Sequence, residues 1–236
     1  MKTLRSSNGP FRERPFYTDE EIERICEDVL RETGYMPSSP QRVRIDRVIE
    51  KKFGVPIIYE EMDANVLGFT EFGPNGVVAV HIAQAPHEKR TTALERRENT
   101  TLAHEAGHGL MHAHLFALES YNEALFGGDA DVKGPKILCR DPVATPVPRG
   151  RGRYDGRWWE LQANRAIGAL LMPRELFLAF MECFTEQRGS FGRLVIPDSR
   201  RSEAARAAAE AFEVNPAAAS VRIDGLFPEE NDQLTF

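Results

Sequence analysis

The chain has 236 residues, of which 42% are hydrophobic and 28% are charged, as in a folded protein with enough apolar material for a core. Its formal net charge of -6 disfavours a protein that coats nucleic acids or anionic membranes. No run approaches the ~18 apolar residues of a membrane span and no apolar leader follows the first charged residues, so we expect a cytoplasmic protein that binds neither nucleic acid nor membrane.

Two helices are predicted in the first quarter of the chain. Residues 1–17 are polar and contain proline, and we expect them to be flexible. Apolar residues then recur at helical spacing from Thr18 to Thr33 and, over a shorter stretch, from about Pro40 to Phe53. Gly54 follows at the position where a glycine often ends a helix.

A small sheet is predicted after these helices. Three runs are rich in β-branched and aromatic residues, namely GVPIIYE, VLGFTEF and GVVAVHI. Between the last two, Pro74-Asn75-Gly76 is typical of a tight hairpin, because such a turn needs residues that tolerate a positive φ. We therefore expect a small, mainly antiparallel sheet over residues 55–83.

A long helix is predicted from Thr92 to about Leu115. Thr92 and Glu95 have the spacing of a capping box at its start. Residues 116–156 are rich in glycine, proline and charge and show no sustained period, so we expect a long functional loop or an insertion. The next helix is predicted from about Arg157 to Leu171.

Further helices are predicted for the rest of the chain. Pro173 stands at the start of the segment PRELFLAFMECFTEQ, which predicts a helix that ends near Gly189. Residues 199–227 predict two alanine-rich helices. Asn215 and Pro216 are suited to be the N-cap and the first residue of the second of these.

The long helix contains the motif HEAGH at residues 104–108. His104 and His108 lie about 6 Å apart along the helix axis on one face, so two imidazoles can bind one metal ion. Glu105 lies on the same side, where its carboxylate can reach a metal-bound water as a general base without ligating the metal. The five-residue motif also arises by chance, so the prediction of a metal site needs the support of a third ligand elsewhere in the sequence.

Glu160 is the predicted third ligand. A catalytic zinc ion takes three protein ligands and keeps one position for water, and Glu160 supplies a carboxylate at the start of the helix WWELQANRAIGALL. Asn164 lies one turn further on the same face and is either a hydrogen-bond partner of a ligand or an ordinary surface amide. The three cysteines form no CxxC pair, so thiolate ligands are not expected.

These segments resemble those of a known family. RRENTTLAHEAGHGLMH and WWELQANRAIGALLMPREL are similar to the HExxH and E-x-x-A-N helices of the ImmA/IrrE family of bacterial metallo-endopeptidases. The resemblance extends, less specifically, over residues 40–226. It implies that His104, His108 and Glu160 hold the metal and that Glu105 is the catalytic carboxylate.

The predicted elements and the resemblance together indicate an α+β, zincin-like metallopeptidase fold. A small, mainly antiparallel sheet is expected to pack on the HExxH helix, with helices at the C-terminus. We expect a flexible segment at 1–17, the metallopeptidase domain at 18–198 with the 116–156 loop inside it, and a helical appendage at 199–236. A peptide substrate is expected to add as a strand to the run VVAVHI at an edge of the sheet.

The reaction also needs a hydrogen-bond donor for the developing oxyanion, and His112, Tyr121 and Tyr154 are the candidates. The sequence does not choose among them. His112 lies one turn beyond His108 and either borders the site or has a structural role. It is a poor third ligand, since one continuous helix does not easily wrap three side chains around a tetrahedral ion.

The implied activity is zinc-dependent hydrolysis of a peptide bond in a protein substrate. Members of the family cleave helix-turn-helix repressors, so a transcriptional repressor is the expected partner. Two histidines and a carboxylate would also suit manganese or iron. Two other functions stay open: a non-catalytic, protein-binding regulator that the metal stabilises, and a DNA-binding regulator that reads bases with Ser220 and Arg222 of a C-terminal helix-turn-helix.

Overall fold

The computed structural model describes residues 2–5, 13–63, 66–84, 91–126, 136–138, 158–188 and 193–228. These residues form an α+β fold, as predicted from the sequence, and no helix among them has both the length and the apolar composition needed to cross a bilayer. The elements are β1 (Lys2–Arg5), β2 (Glu13–Phe16), α1 (Asp19–Thr33), α2 (Ile45–Phe53), β3 (Ile57–Glu60), β4 (Gly68–Gly73), β5 (Gly76–Ala83), α3 (Thr92–Phe126), β6 (Lys136–Leu138), α4 (Trp158–Leu171), α5 (Arg174–Met181), a 3-10 turn (Glu182–Phe184), β7 (Glu186–Arg188), β8 (Arg193–Val195), α6 (Asp198–Ala211) and α7 (Pro216–Leu226).

The predicted helix ends are mostly confirmed by their caps. Thr18 and Glu21 form a capping box at the start of α1, and the Asn215 side chain accepts a hydrogen bond from the Ala217 amide at the start of α7. The α2 helix begins later than predicted because the apolar residues just before it, such as the buried Val43, pack as irregular chain.

Three segments differ from the prediction. The N-terminal segment, predicted to be flexible, contains strands β1 and β2, which pair antiparallel. Helix α3 continues to Phe126 and β6 forms at Lys136–Leu138, so the predicted 116–156 loop contains regular structure. The helix after Pro173 ends at Met181 rather than near Gly189, and a hairpin of β7 and β8 follows. Strands of three or four residues are too short to show a period, which is why the sequence did not predict them.

The start of α3 also differs in one residue. The amide of Leu94 donates to the hydroxyl of Thr91 at 3.3 Å, and the amide of Glu95 donates to the Thr91 carbonyl. Thr91, rather than Thr92, therefore caps the helix. The two adjacent threonines made the cap position ambiguous in the sequence.

The larger sheet has the strand order β3-β5-β4-β6. It is a mixed sheet: two of its three strand pairs are antiparallel, as predicted, while β3 runs parallel to β5. The predicted hairpin turn joins β4 to β5, and Gly76 has a φ of 112°. The prediction that VVAVHI forms an edge is wrong, since β3 pairs with the free side of β5. Within the described residues, β3 and β6 are the edge strands.

Helix α3 lies between the sheet and α4. One side packs against β4 and β5 and the other against α4, while α1 and α7 cover the far side of α4. The residues from Thr101 to Gly109 are all buried, so the motif helix has no solvated face over this stretch. Helix α4 packs against this stretch of α3 at Gly107.

Arg222 of α7 fixes the C-terminal helices to the rest of the fold. Its side chain is 7% exposed and forms two hydrogen bonds with the carboxylate of Glu23 on α1. It also donates to the Met172 carbonyl at 2.9 Å. The side chain that would have to read DNA bases is therefore buried in an ion pair, which removes the main candidate contact of the DNA-binding hypothesis.

We predict that Arg222→Met lowers the free energy of unfolding by about 3 kcal/mol, because it leaves the Glu23 carboxylate with no cation in a largely buried position. Urea unfolding followed by circular dichroism measures this loss. Arg206→Met is the matched control on exposed α6 surface, and its unfolding midpoint should stay near that of the wild type. Equal midpoints for the two variants would contradict the prediction.

Candidate metal centre

The predicted ligands meet because α3 and α4 pack unusually closely. Gly107, in the middle of the HEAGH motif, faces α4. A Cβ atom added there would lie 2.8 Å from the Ala166 Cβ and 3.2 Å from the Ala163 Cα. Small residues on both helices thus permit an approach that brings His104 and His108 opposite Glu160.

The three predicted ligand side chains converge on one point. The Nε2 atom of His104 is 3.2 Å from one carboxylate oxygen of Glu160, and the Nε2 atom of His108 is 3.7 Å from the other. The two Nε2 atoms are 3.1 Å apart. Among the described residues, these three form the one group of histidine, cysteine and acidic side chains close enough to hold a metal ion, with ligand atoms within 4.8 Å of one another.

These separations fit a metal ion. Zinc bonds to nitrogen and oxygen are about 2.0–2.1 Å long, so two ligand atoms of a tetrahedral site lie roughly 3.3 Å apart. The observed separations of 3.1, 3.2 and 3.7 Å bracket that value. Two imidazoles and a carboxylate suit zinc and also manganese or iron. His104, His108 and Glu160 can therefore hold a divalent cation.

The charges of the three ligands also suit a cation. Burial tends to raise the pKa of Glu160, but its hydrogen bonds with His104 and His108 outweigh burial and hold that pKa well below its usual range. Burial lowers the pKa of His108, and the hydrogen bond with Glu160 only partly opposes this. Glu160 is thus a carboxylate and His108 is neutral at physiological pH, which are the forms that ligate metals.

The pKa of His104 is shifted in the opposite direction. Burial alone would lower this pKa. The hydrogen bond with Glu160 and the negative charges of Glu105 and Glu160 outweigh burial, so the pKa of His104 is raised overall. Asn164 contributes a hydrogen bond to the same histidine. Of the two interpretations of Asn164 from the sequence, the structure supports the hydrogen-bond partner of a ligand. A bound metal cation would take the place of the proton that this negatively charged environment favours on His104.

Glu105 is fully buried next to the ligand group. Burial raises the pKa of its carboxyl to about 7, although the charge of His104 and a hydrogen bond from Thr70 pull it down. The Thr70 hydroxyl lies 2.7 Å from Oε2 of Glu105. The other oxygen, Oε1, is buried and has no partner among the described residues. A carboxyl group with this pKa and an unused oxygen is suited to take up and release a proton.

Thr70 was not singled out from the sequence. It lies on the face of β4 that alternation points towards α3, together with the buried Gly68 and Phe72. The alternation therefore predicts that Thr70 is buried. Nothing local predicts that its hydroxyl meets a carboxylate 35 residues later in the chain.

Of the three residues predicted as possible oxyanion donors, the structure describes only the side chain of His112. His112 is fully buried and contacts the ligand His108, with 3.0 Å between the two Nδ1 atoms. It points away from the ligand atoms of the group, which makes it a support for His108 rather than an oxyanion donor. Tyr121 lies on α3, but its side chain is outside the described part of the structure, as is all of Tyr154.

Gln162 is a second residue that the sequence did not single out. It is buried on α4 between His112 and the N-terminal strand β2. Its Oε1 atom lies 2.9 Å from Nε2 of His112, and its Nε2 atom lies 2.9 Å from the Pro15 carbonyl oxygen. The only sequence signal is its place in the ELQAN segment, two residues after Glu160.

Comparison with known proteins adds no relative. The sequence matches no protein-family model, and no curated protein matches it.

We predict that Gly107→Ala weakens zinc binding roughly 10-fold or more, because the added methyl group meets backbone and Cβ atoms of α4 and moves Glu160 away from the histidines. Competition with a chromophoric chelator measures the affinity. Gly109→Ala is the matched control, since it makes the same change in the same helix but meets the side chains of Phe53 and Val77. Similar affinities for both variants would show that the α3–α4 contact does not set the site.

Proposed function

We propose that the protein is a zinc-dependent endopeptidase in which Glu105 is the general base. The observation that carries this proposal is the buried carboxyl of Glu105 beside three converging metal ligands, with one carboxylate oxygen held by Thr70 and the other unused. A purely structural metal site has no need of a fourth, non-ligating acidic group whose pKa is about 7.

The residues divide the reaction between them. A bound zinc ion supplies a Lewis acid that polarises the peptide carbonyl and acidifies water. Glu105 accepts a proton from the attacking water while the water oxygen bonds to the carbonyl carbon of the peptide. It then gives that proton to the amide nitrogen as the C–N bond breaks, which yields a carboxylic acid and an amine. Thr70 orients the Glu105 carboxylate throughout.

The proposed substrate is a protein, and a cytoplasmic helix-turn-helix repressor is the specific candidate. This step is supported by the resemblance of the HEAGH and ELQAN segments to the ImmA/IrrE family. The same resemblance implies a zincin-like fold, which is part of the proposal. We propose that the peptide lies on the β6 side of the sheet, because the adjacent strand β4 carries Thr70 and so borders Glu105.

The rival function is a non-catalytic regulator in which the metal only stabilises a protein-binding surface. Both functions need the three ligands. Only the peptidase needs the Glu105 carboxylate, so a variant that keeps the metal and loses this one group separates them.

We predict that Glu105→Gln abolishes peptide hydrolysis while zinc stays bound, because the amide keeps the shape of the side chain and accepts no proton. The measurement is cleavage of repressors encoded near the gene, followed by mass spectrometry of the fragments, together with metal analysis of each protein. A loss of at least 100-fold is expected for removal of a general base.

Two results would contradict the peptidase proposal. One is equal fragment formation by wild type and Glu105→Gln. The other is the absence of cleavage by a zinc-loaded wild type that still binds the repressor, which would favour the rival function. His104→Ala is the control for the metal, and it should lose both zinc and activity.

We also predict that Thr70→Val lowers kcat roughly 10-fold without a change in zinc content. The valine has the same shape but leaves the buried Glu105 carboxylate without its hydrogen-bond donor. Thr100→Val is the matched control, because the Thr100 hydroxyl bonds to the Arg96 carbonyl of its own helix. If both variants retain wild-type kcat, Thr70 does not orient the base.

A further inference from the structure

A continuous chain of hydrogen bonds leads from the metal ligand His108 to the N-terminal strand β2. His108 contacts His112 through their Nδ1 atoms at 3.0 Å, and Nε2 of His112 meets Oε1 of Gln162 at 2.9 Å. The amide nitrogen of Gln162 donates to the Pro15 carbonyl oxygen at 2.9 Å. The chain thus joins α3, α4 and β2 through buried polar groups.

The Pro15 carbonyl determines the direction of every hydrogen bond in this chain. A carbonyl oxygen only accepts, so the group of Gln162 that faces it must be the NH₂ group. The Gln162 oxygen then faces His112 and needs a donor, which places a proton on Nε2 of His112. A flipped amide would set two oxygens against each other at Pro15 and is excluded by the same rule.

The same argument extends to the ligand. In a neutral imidazole one ring nitrogen donates and the other accepts. With its proton on Nε2, His112 accepts at Nδ1, so His108 must donate from its own Nδ1 atom. The Nε2 atom of His108 then carries a lone pair, and this is the atom that faces His104 and Glu160.

Burial makes this arrangement difficult to change. His112 and His108 are fully buried, and Gln162 is nearly so. The edge of the His112 ring also meets Trp158, with 5.5 Å between the ring centroids. A reversed tautomer would leave at least one buried donor or acceptor without a partner, which is unfavourable.

We propose that Gln162 is a positioning residue that, anchored on the Pro15 carbonyl, fixes the tautomer of His112 and through it holds His108 in its metal-ligating form. Neither Gln162 nor His112 touches the metal or the substrate. The inference rests on the metal site of the proposed function, but it does not depend on peptide hydrolysis.

The first test is the position of the imidazole protons in the wild-type protein. Long-range ¹H–¹⁵N NMR spectra of zinc-loaded protein distinguish a proton on Nε2 from one on Nδ1. The expected result is a proton on Nε2 of His112 and on Nδ1 of His108. A proton on Nδ1 of His112 would overturn the proposal whatever the behaviour of any variant.

The second test compares the zinc affinities of Gln162→Glu and Gln162→Met by competition with a chromophoric chelator. A protonated glutamic acid keeps both contacts, because its hydroxyl donates to the Pro15 carbonyl oxygen and its other oxygen accepts from His112. Methionine keeps the volume and provides no comparable acceptor. We expect Gln162→Met to lose 10- to 100-fold in affinity and Gln162→Glu to lose less. If Gln162 only filled space, Gln162→Glu would lose more zinc affinity than Gln162→Met, because burying an acidic group costs more than burying a thioether.

Arg165→Met is the matched control, because it puts the same residue on an exposed position of α4. It should bind zinc like the wild type. If the wild type binds zinc and Gln162→Met binds it equally well, the positioning role is overturned while the peptidase proposal stands. If the wild type itself binds no zinc, both proposals fail.

Discussion

The close contact between α3 and α4 at Gly107 is the constraint on which the candidate metal centre depends. The histidines and Glu105 belong to one helix and Glu160 belongs to another, so their geometry is set by how near the two axes come. Gly107 and two alanines leave no side-chain volume between the helices. Because packed interiors do not compress, a single methyl group in this contact shifts the carboxylate relative to both imidazoles.

The same contact sets the electrostatics of the site. Helix α3 packs against α4 and against strands β4 and β5, and His104, His108 and Glu105 are all buried. In this buried site the pKa values of two chemically alike carboxyl groups, those of Glu105 and Glu160, shift in opposite directions. Glu160 stays ionised because two histidines bond to it, while the pKa of Glu105 rises to about 7 because a threonine hydroxyl compensates only part of its burial. One acid is thus suited to bind a cation and the other to carry a proton.

The sheet and the N-terminal strand support this pair of helices from outside. Strand β4 brings the Thr70 hydroxyl to Glu105, and β2 brings the Pro15 carbonyl to Gln162. In both contacts an uncharged group forms a hydrogen bond with a buried side chain. A segment of polar composition at the start of the chain thereby gains a defined place next to the metal ligands.

The sequence by itself predicted the three candidate ligands and the candidate base, because the two histidines lie one helical turn apart and the two motif segments contain few acidic residues. It also determined most helix ends, since caps at Thr18 and Asn215 are local features. Only the tertiary structure decided that β5 is a central strand and that Thr70, Gln162 and Pro15 support the site. Those contacts join residues 35 to 147 positions apart, and such pairings depend on how whole elements pack rather than on any local pattern.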